Sequence, residues 1–195
     1  VIWPVVGRGE LARRAGVPRS RAYTSVLLSL GMLYLAALFV AAAFLPFGLS
    51  GGGFDPWMLF LLALPVGVVA LHHGFLGRVA RTVERLTGVH VDVEIPMWGD
   101  SLRLVARYVP AWLFVGTATW AVARALDPGA PFARVVFATV LSWAAGFLAV
   151  PVPAGAGVRE AVLTATSGLD GGDAAATAIV ADVLFVLVDV VAGLV

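Results

Sequence analysis

The sequence predicts an all-helical, polytopic membrane fold, and three observations carry that prediction. Of 195 residues, 61% are hydrophobic and 13% charged, against about 45–50% and about 25% in soluble domains. Mean hydropathy is +0.97, more hydrocarbon than a soluble core of this length could hide. The apolar residues also fall in runs of roughly 20, the helix length that crosses about 30 Å of hydrocarbon.

Five spans are expected. The run 23–45 holds no charge and Pro46 closes it. The run 57–76 follows, with Pro65 marking a kink and His72-His73 at its end. Runs 108–123 and 132–150 are the third and fourth. The last, 174–195, differs from the others because Asp182 and Asp189 lie within it. Tyr23, Trp57, Tyr108 and Trp112 sit near span ends, as in interfacial aromatic belts. The chain begins without Met and stops inside an apolar run, so 1–195 reads as a single transmembrane domain cut from a longer protein.

Arginines set the orientation. Arg8, Arg13, Arg14, Arg19 and Arg21 precede the first span, while the connection 46–56 has no basic residue. Arg78, Arg81, Arg85, Arg103 and Arg107 lie between the second and third spans; Arg124 and Arg134 weigh weakly the other way. Residues 1–22 and 77–107 are therefore placed in the cytoplasm. Within 77–107, Arg78, Arg81 and Arg85 fall on one helical face, with Val79, Val83 and Leu86 on another. Such a helix either lies on anionic headgroups or is a solvated loop helix whose charges set topology.

Several chemistries are excluded. There is no Cys, hence no disulfide, thiol nucleophile or iron–sulfur ligation. Every basic residue is Arg, which removes a Walker-A lysine and a Schiff base. A net charge of +1 gives no footprint for nucleic acid. His72, His73 and His90 lack metal-ligand spacing, and no nucleophile–base pair stands out, so neither a cofactor nor an enzymatic activity is expected.

The most informative feature occurs twice. Pro4-Val5-Val6-Gly7-Arg8-Gly9-Glu10-Leu11 and Pro151-Val152-Pro153-Ala154-Gly155-Ala156-Gly157-Val158-Arg159-Glu160 share a plan. Each has proline, two glycines one residue apart, an Arg–Glu pair and an apolar helical start. The recurrence points to an internal duplication, as in many transporter folds. Proline and glycine free backbone groups, and a membrane tolerates that only where the chain is buried in protein or lines a wet cavity. The following helix N-terminus attracts anions, and Arg8 or Arg159 adds full charge. Glu10 and Glu160 would neutralise those arginines or switch with them. The segment 158–167 is too short to span and is read as re-entrant. Otherwise both loops are polar turns and Arg159–Glu160 is a simple ion pair.

Asp182 and Asp189 lie on one face of the last span, about two turns apart. Intramembrane carboxylates face a cavity or a partner. The pair either handles protons or headgroups, or is satisfied structurally, with Arg159 as a candidate partner.

The stretch 151–162 resembles the signature of the lysylphosphatidylglycerol synthase transmembrane-region family, a set of flippase-like membrane proteins. Gly9-Glu10, with Arg13-Arg14-Ala15-Gly16-Val17-Pro18-Arg19 and the helix start at Ser25-Val26-Leu27-Leu28, resembles the family's earlier glycine–glutamate motif. The similarity runs the length of the chain and is specific in these two blocks. It implies a helical bundle with two re-entrant segments in a bacterial plasma membrane, and a lipid or lipid-linked substrate moved between leaflets. The chain departs from the family pattern at Ser29, Leu30 and Leu33, where charge is expected, and at Asp182, where a basic residue is expected. The aminoacyl-transferase domain of some relatives is not among these residues.

Two functional readings follow. In the first, a flippase or transporter takes a phospholipid or polyprenyl-phosphate-linked lipid by its anionic headgroup. Arg8, Gly9, Glu10, Pro153, Gly155, Gly157, Arg159, Glu160, Asp182 and Asp189 would form the site. In the second, a non-transporting membrane protein anchors an envelope glycosyltransferase. An intramembrane enzyme is the weakest third.

Overall fold

The structure, a computed structural model, describes residues 10, 14, 16, 18–50, 54–70, 72, 74, 75, 77, 78, 82, 85, 97–149, 155 and 157–194, with backbone alone at 19–21, 23, 24, 27 and 189–194. Among these residues all regular secondary structure is helical, and turns and bends join the helices. Helix α1 is Arg19–Leu49, a 3-10 segment Pro56–Leu62 leads into α2 (Ala63–Ala70), and α3 is Trp98–Leu126. Then come α4 (Phe132–Leu148), the short α5 (Val158–Thr166) and α6 (Gly171–Leu194).

The expected five spans are met in part. Among the described residues three helices are long and apolar enough to cross a membrane: Leu28–Leu49, Trp98–Leu126 and Gly171–Val188. Pro56–Ala70 and Phe132–Leu148 are apolar but shorter.

Three boundaries differ from expectation for physical reasons. Helix α1 runs through Pro46 to Leu49. A proline removes one backbone donor, and this one sits in the last turn, where its own carbonyl still accepts the Ser50 N–H at 3.2 Å. The run 57–76 does not kink within one α-helix. It changes from 3-10 to α at Ala63, so Pro65 stands in the first turn of α2, where a missing N–H costs nothing. Helix α3 starts at Trp98, well before the expected 108. Asp100, Arg103 and Arg107 end its apolar stretch without ending the helix, and Asp100 pairs with Arg103 at 3.2 Å on the exposed surface. The segment 77–107 is therefore helix, not loop, from residue 98 onward. Arg78 and Arg85 are helical and exposed, while Val79, Arg81, Val83 and Leu86 of the amphipathic pattern lie outside the described residues.

The chain divides into two compact units, 1–36 with 62–108, and 37–61 with 109–195. In the first, Met32, Leu35 and Ala36 are buried on α1, and Leu35 packs against Gly67 of α2. The Ser29 hydroxyl bonds the Tyr108 hydroxyl at 2.8 Å, tying α1 to the first half of α3.

The second unit is organised around α4. Residues Val135 to Ser142 are buried without a break, as are Ala144, Ala145 and Gly146. A helix apolar on every face is one surrounded by protein, which explains how a 17-residue helix sustains such a sequence. Ala138, Leu163 and Ala178 form one packed layer across α4, α5 and α6. Nearer the start of α4, Ala123, Ala130, Val135, Leu169 and Ala174 form another. There the Trp120 indole N–H donates to the Ala130 carbonyl at 3.1 Å. The outer face of α6 exposes Ile179, Val183, Val186 and Leu187, a face suited to acyl chains.

Candidate functional site

Helix α5 has only nine residues, too few to hold itself in helical form, and both its ends are fastened by side chains. At the N-terminus, Gly157 takes φ 82°, a left-handed conformation suited to glycine. The Glu160 carboxylate accepts the Gly157 N–H at 2.6 Å, satisfying a free donor and complementing the positive end of the helix. At the C-terminus, the Arg134 Nε donates to the Thr166 carbonyl at 3.1 Å, a cation on the negative end. Gly168 follows at φ 74°, the usual residue of a left-handed helix stop. A Cβ there would sit 2.5 Å from the Arg134 guanidinium.

Gly155 of the glycine loop lies directly on α4. A Cβ on buried Gly155 would come within 2.6 Å of the Gly146 Cα, and one on Gly146 within 2.6 Å of the Arg159 Cγ. The two glycines let backbone meet backbone, and the stem of Arg159 then crosses Gly146. Its guanidinium carbon stands 3.4 Å from the centroid of the Trp143 ring, within cation–π range. Its Nη2 donates to the Asp182 carboxylate of α6 at 2.5 Å. Side-chain exposure is 15% for Arg159 and 32% for Asp182, so the pair is largely withdrawn from solvent. Trp143 meets Trp112 and Phe185 edge-on, each with centroids 6.1 Å away.

Around this pair is a small pocket lined also by Thr119, Thr139 and Ser142. Its free space is about 10 Å³, room for about one water. The three hydroxyls donate to backbone carbonyls of their own helices: Thr119 to Val115, Thr139 to Val135 and Ser142 to Thr139. Toward the pocket they therefore offer acceptor lone pairs. The site thus pairs one fixed cation with one carboxylate in an apolar, aromatic wall. Arg's planar fork suits it to hold a stacked ring and an oxyanion together.

The sequence-predicted residues divide into those the structure joins and those it does not. Arg159 and Asp182 meet, and Gly155 reaches them only through Gly146, on which the Arg159 stem also rests. Glu160 does not pair with Arg159 in this geometry; it caps Gly157, while Arg159 turns to Asp182, the partner proposed for it in the structural reading. Glu10 pairs with Arg14 at 3.5 Å, one helical turn on. Arg8, Gly9, Pro153 and the side chain of Asp189 lie outside the described residues. Sequence reasoning missed Trp143, Gly146 and Arg134. The spacing Trp143-x-x-Gly146 on one helix face, just before a glycine loop, is a readable sign of close packing.

This geometry defines a class: a helical membrane protein whose short internal helix carries a stacked arginine paired with a carboxylate of a membrane-length helix. The family model for the lysylphosphatidylglycerol synthase transmembrane region matches residues 10–193, and the chain belongs to that family. It is a membrane family linked to lipid handling. No curated protein and no solved structure matches the chain.

Proposed function

We propose that the protein is a flippase-type transporter of a phospholipid or polyprenyl-phosphate-linked lipid, working in a bacterial plasma membrane. The anionic headgroup binds at the Arg/Glu-bearing glycine loops, with Arg159 as the main contact. One observation carries this reading. A guanidinium is held in an apolar wall by Trp143 and Asp182, beside a polar pocket. Charge is kept in such surroundings where it meets a substrate or a relay.

In this reading the two shorter apolar helices cross the membrane as well, giving five spans, and α5 is re-entrant. Two contacts support that. Arg134 near the start of α4 meets the end of α5, and Gly146 near the end of α4 meets the loop before α5. The chain therefore returns along α4. At 1.5 Å per residue, α5 covers about 14 Å, roughly half the hydrocarbon thickness.

Headgroup and tail are treated differently. The phosphate exchanges water for the guanidinium and loop amides, while the acyl or polyprenyl chain stays in lipid against faces such as that of α6. No covalent chemistry is involved.

The test is leaflet-resolved lipid movement in proteoliposomes with phosphatidylglycerol and, separately, a polyprenyl phosphate. Movement faster than in empty vesicles and lost in Arg159→Ala supports the reading. The narrowness of the pocket favours the second reading, an anchor for an envelope glycosyltransferase. Folded protein that moves neither lipid would decide for that one.

A further inference from the structure

Arg159 already holds an anion, and the anion belongs to the protein. Any phosphate that binds this guanidinium as proposed must take the place of the Asp182 carboxylate. The pocket has room for about one water, so phosphate and carboxylate do not fit together. We infer that Asp182 is a built-in competitor. It occupies the headgroup position of Arg159 in the empty site, and an arriving phosphate exchanges for it. The inference rests on the headgroup reading and specifies how that site is regulated.

Three features make Arg159 suited to exchange. Its stem is fixed against Gly146 and its charged plane against Trp143. Both contacts come from α4 and neither involves Asp182. The guanidinium therefore keeps its place and orientation when its oxyanion partner changes. Asp182, in contrast, comes from α6 and is the more exposed of the two, at 32%, so the carboxylate is less enclosed by protein than the arginine it leaves. The third feature is mechanical. The Arg159–Asp182 contact joins α5 to α6, and its loss removes an ion pair between them while the Leu163–Ala178 packing remains. Ligand binding and loosening of that joint thereby become one event, which is a differential interaction with two states.

A merely structural ion pair and a competitor predict opposite signs. If the pair only supports the fold, removing the Asp182 charge weakens everything Arg159 does. If Asp182 competes, Asp182→Asn lowers thermal stability and raises affinity for phosphate.

The experiment titrates the protein in uncharged maltoside micelles with two probes, short-chain phosphatidylglycerol and inorganic phosphate, by calorimetry. Unfolding is followed in parallel by tryptophan fluorescence. Wild type, Asp182→Asn and Arg159→Ala are compared, and Asp182→Ser repeats the neutralisation if the Asn variant does not fold. The expected result is binding about tenfold tighter in Asp182→Asn, as when a competent state about one-tenth populated becomes the default, together with a lower Tm. A gain for phosphatidylglycerol alone identifies a lipid headgroup as the ligand. A gain for inorganic phosphate, alone or with the lipid, places recognition in the phosphate group; each pattern upholds exchange. Binding lost in Arg159→Ala yet unchanged or weaker in Asp182→Asn overturns the competitor and leaves the headgroup reading standing. Binding equal in wild type and Arg159→Ala, or absent throughout, overturns that reading and the competitor with it.

Discussion

The two ends of α5 each meet an arginine, and the two are used differently. Arg134 reaches a backbone carbonyl at the helix C-terminus, closing an unsatisfied acceptor at the negative end of a dipole. Arg159, in the first turn, turns away from its own helix toward Trp143 and Asp182. The cap at its end is left to Glu160. One arginine completes a helix; the other is carried by it. The contrast teaches that intramembrane charge is not informative by itself: its partner is. A carbonyl partner marks architecture, and under the proposed exchange a separable carboxylate partner marks the place for another anion.

The largest effect that sharpens the comparison comes from Arg159→Met. It leaves Asp182 in an apolar wall without its cation, and breaking one half of such a pair costs about 3 kcal/mol. Thermal unfolding in detergent should show it, alongside loss of lipid movement. Arg159→Met with Asp182→Met should recover most of the stability, because a packed apolar pair replaces the ions, yet should not recover transport. Recovery of both would put the site elsewhere.

Next in size is Gly155→Ala. The new methyl would lie 2.6 Å from the Gly146 Cα, at a φ of 70° that side chains disfavour. Overpacking of this kind costs about 1–3 kcal/mol, and the loop must lift from α4. The expected readout is a lower Tm with slower lipid movement, since Arg159 is then displaced from Trp143. An unchanged Tm would show that Gly155 does not rest on α4.

Much of this was legible in the sequence, and the misses share a cause. Fold class follows from composition, which acts through the solvent and needs no contact map. Arg159, Gly155 and Asp182 stand out because charge and glycine are unusual within apolar runs. The pairing of Arg159 with Asp182 was open among alternatives, because loop geometry sets it. The glycines before α5 turn residue 159 toward α4, and Glu160 is drawn to the helix start. Trp143 and Arg134 were passed over because each looks ordinary where it stands, one an apolar aromatic, the other a positive charge near a span end. Their roles arise from residues 16 and 32 positions away, beyond the reach of local periodicity. Pro46 shows the limit of a sound local rule: it takes one donor from the helix, yet α1 runs on to Leu49, with the Pro46 carbonyl still finding its donor.

A moderate effect isolates the Arg134 end. Arg134→Ala removes the hydrogen bond to Thr166 and the cation at the C-terminus of α5, together worth about 1 kcal/mol. Lipid movement per folded molecule should stay at the wild-type level. A transport defect beyond the loss of folded protein would mean that the two ends are not distinct in role.

The smallest effect is the sharpest on the division of labour at the first turn. Glu160→Gln keeps an amide oxygen that accepts the Gly157 N–H, so the cap geometry survives while the charge is lost. The cost is that of one favourable charge at a helix N-terminus, about 0.3–1 kcal/mol. Glu160→Ala also removes the acceptor and should cost more, about 1 kcal/mol. If Glu160 acts as a cap alone, lipid movement follows this order weakly, in step with stability. If it also screens Arg159, which is adjacent in sequence, then Glu160→Gln strengthens phosphate binding despite the lost stability. That is the sign expected of Asp182→Asn, and it would mean that the arginine has two internal anions to shed. Phosphate titration of Glu160→Gln beside Asp182→Asn separates the two cases, because a cap moves only Tm whereas a second competitor moves affinity in the opposite direction.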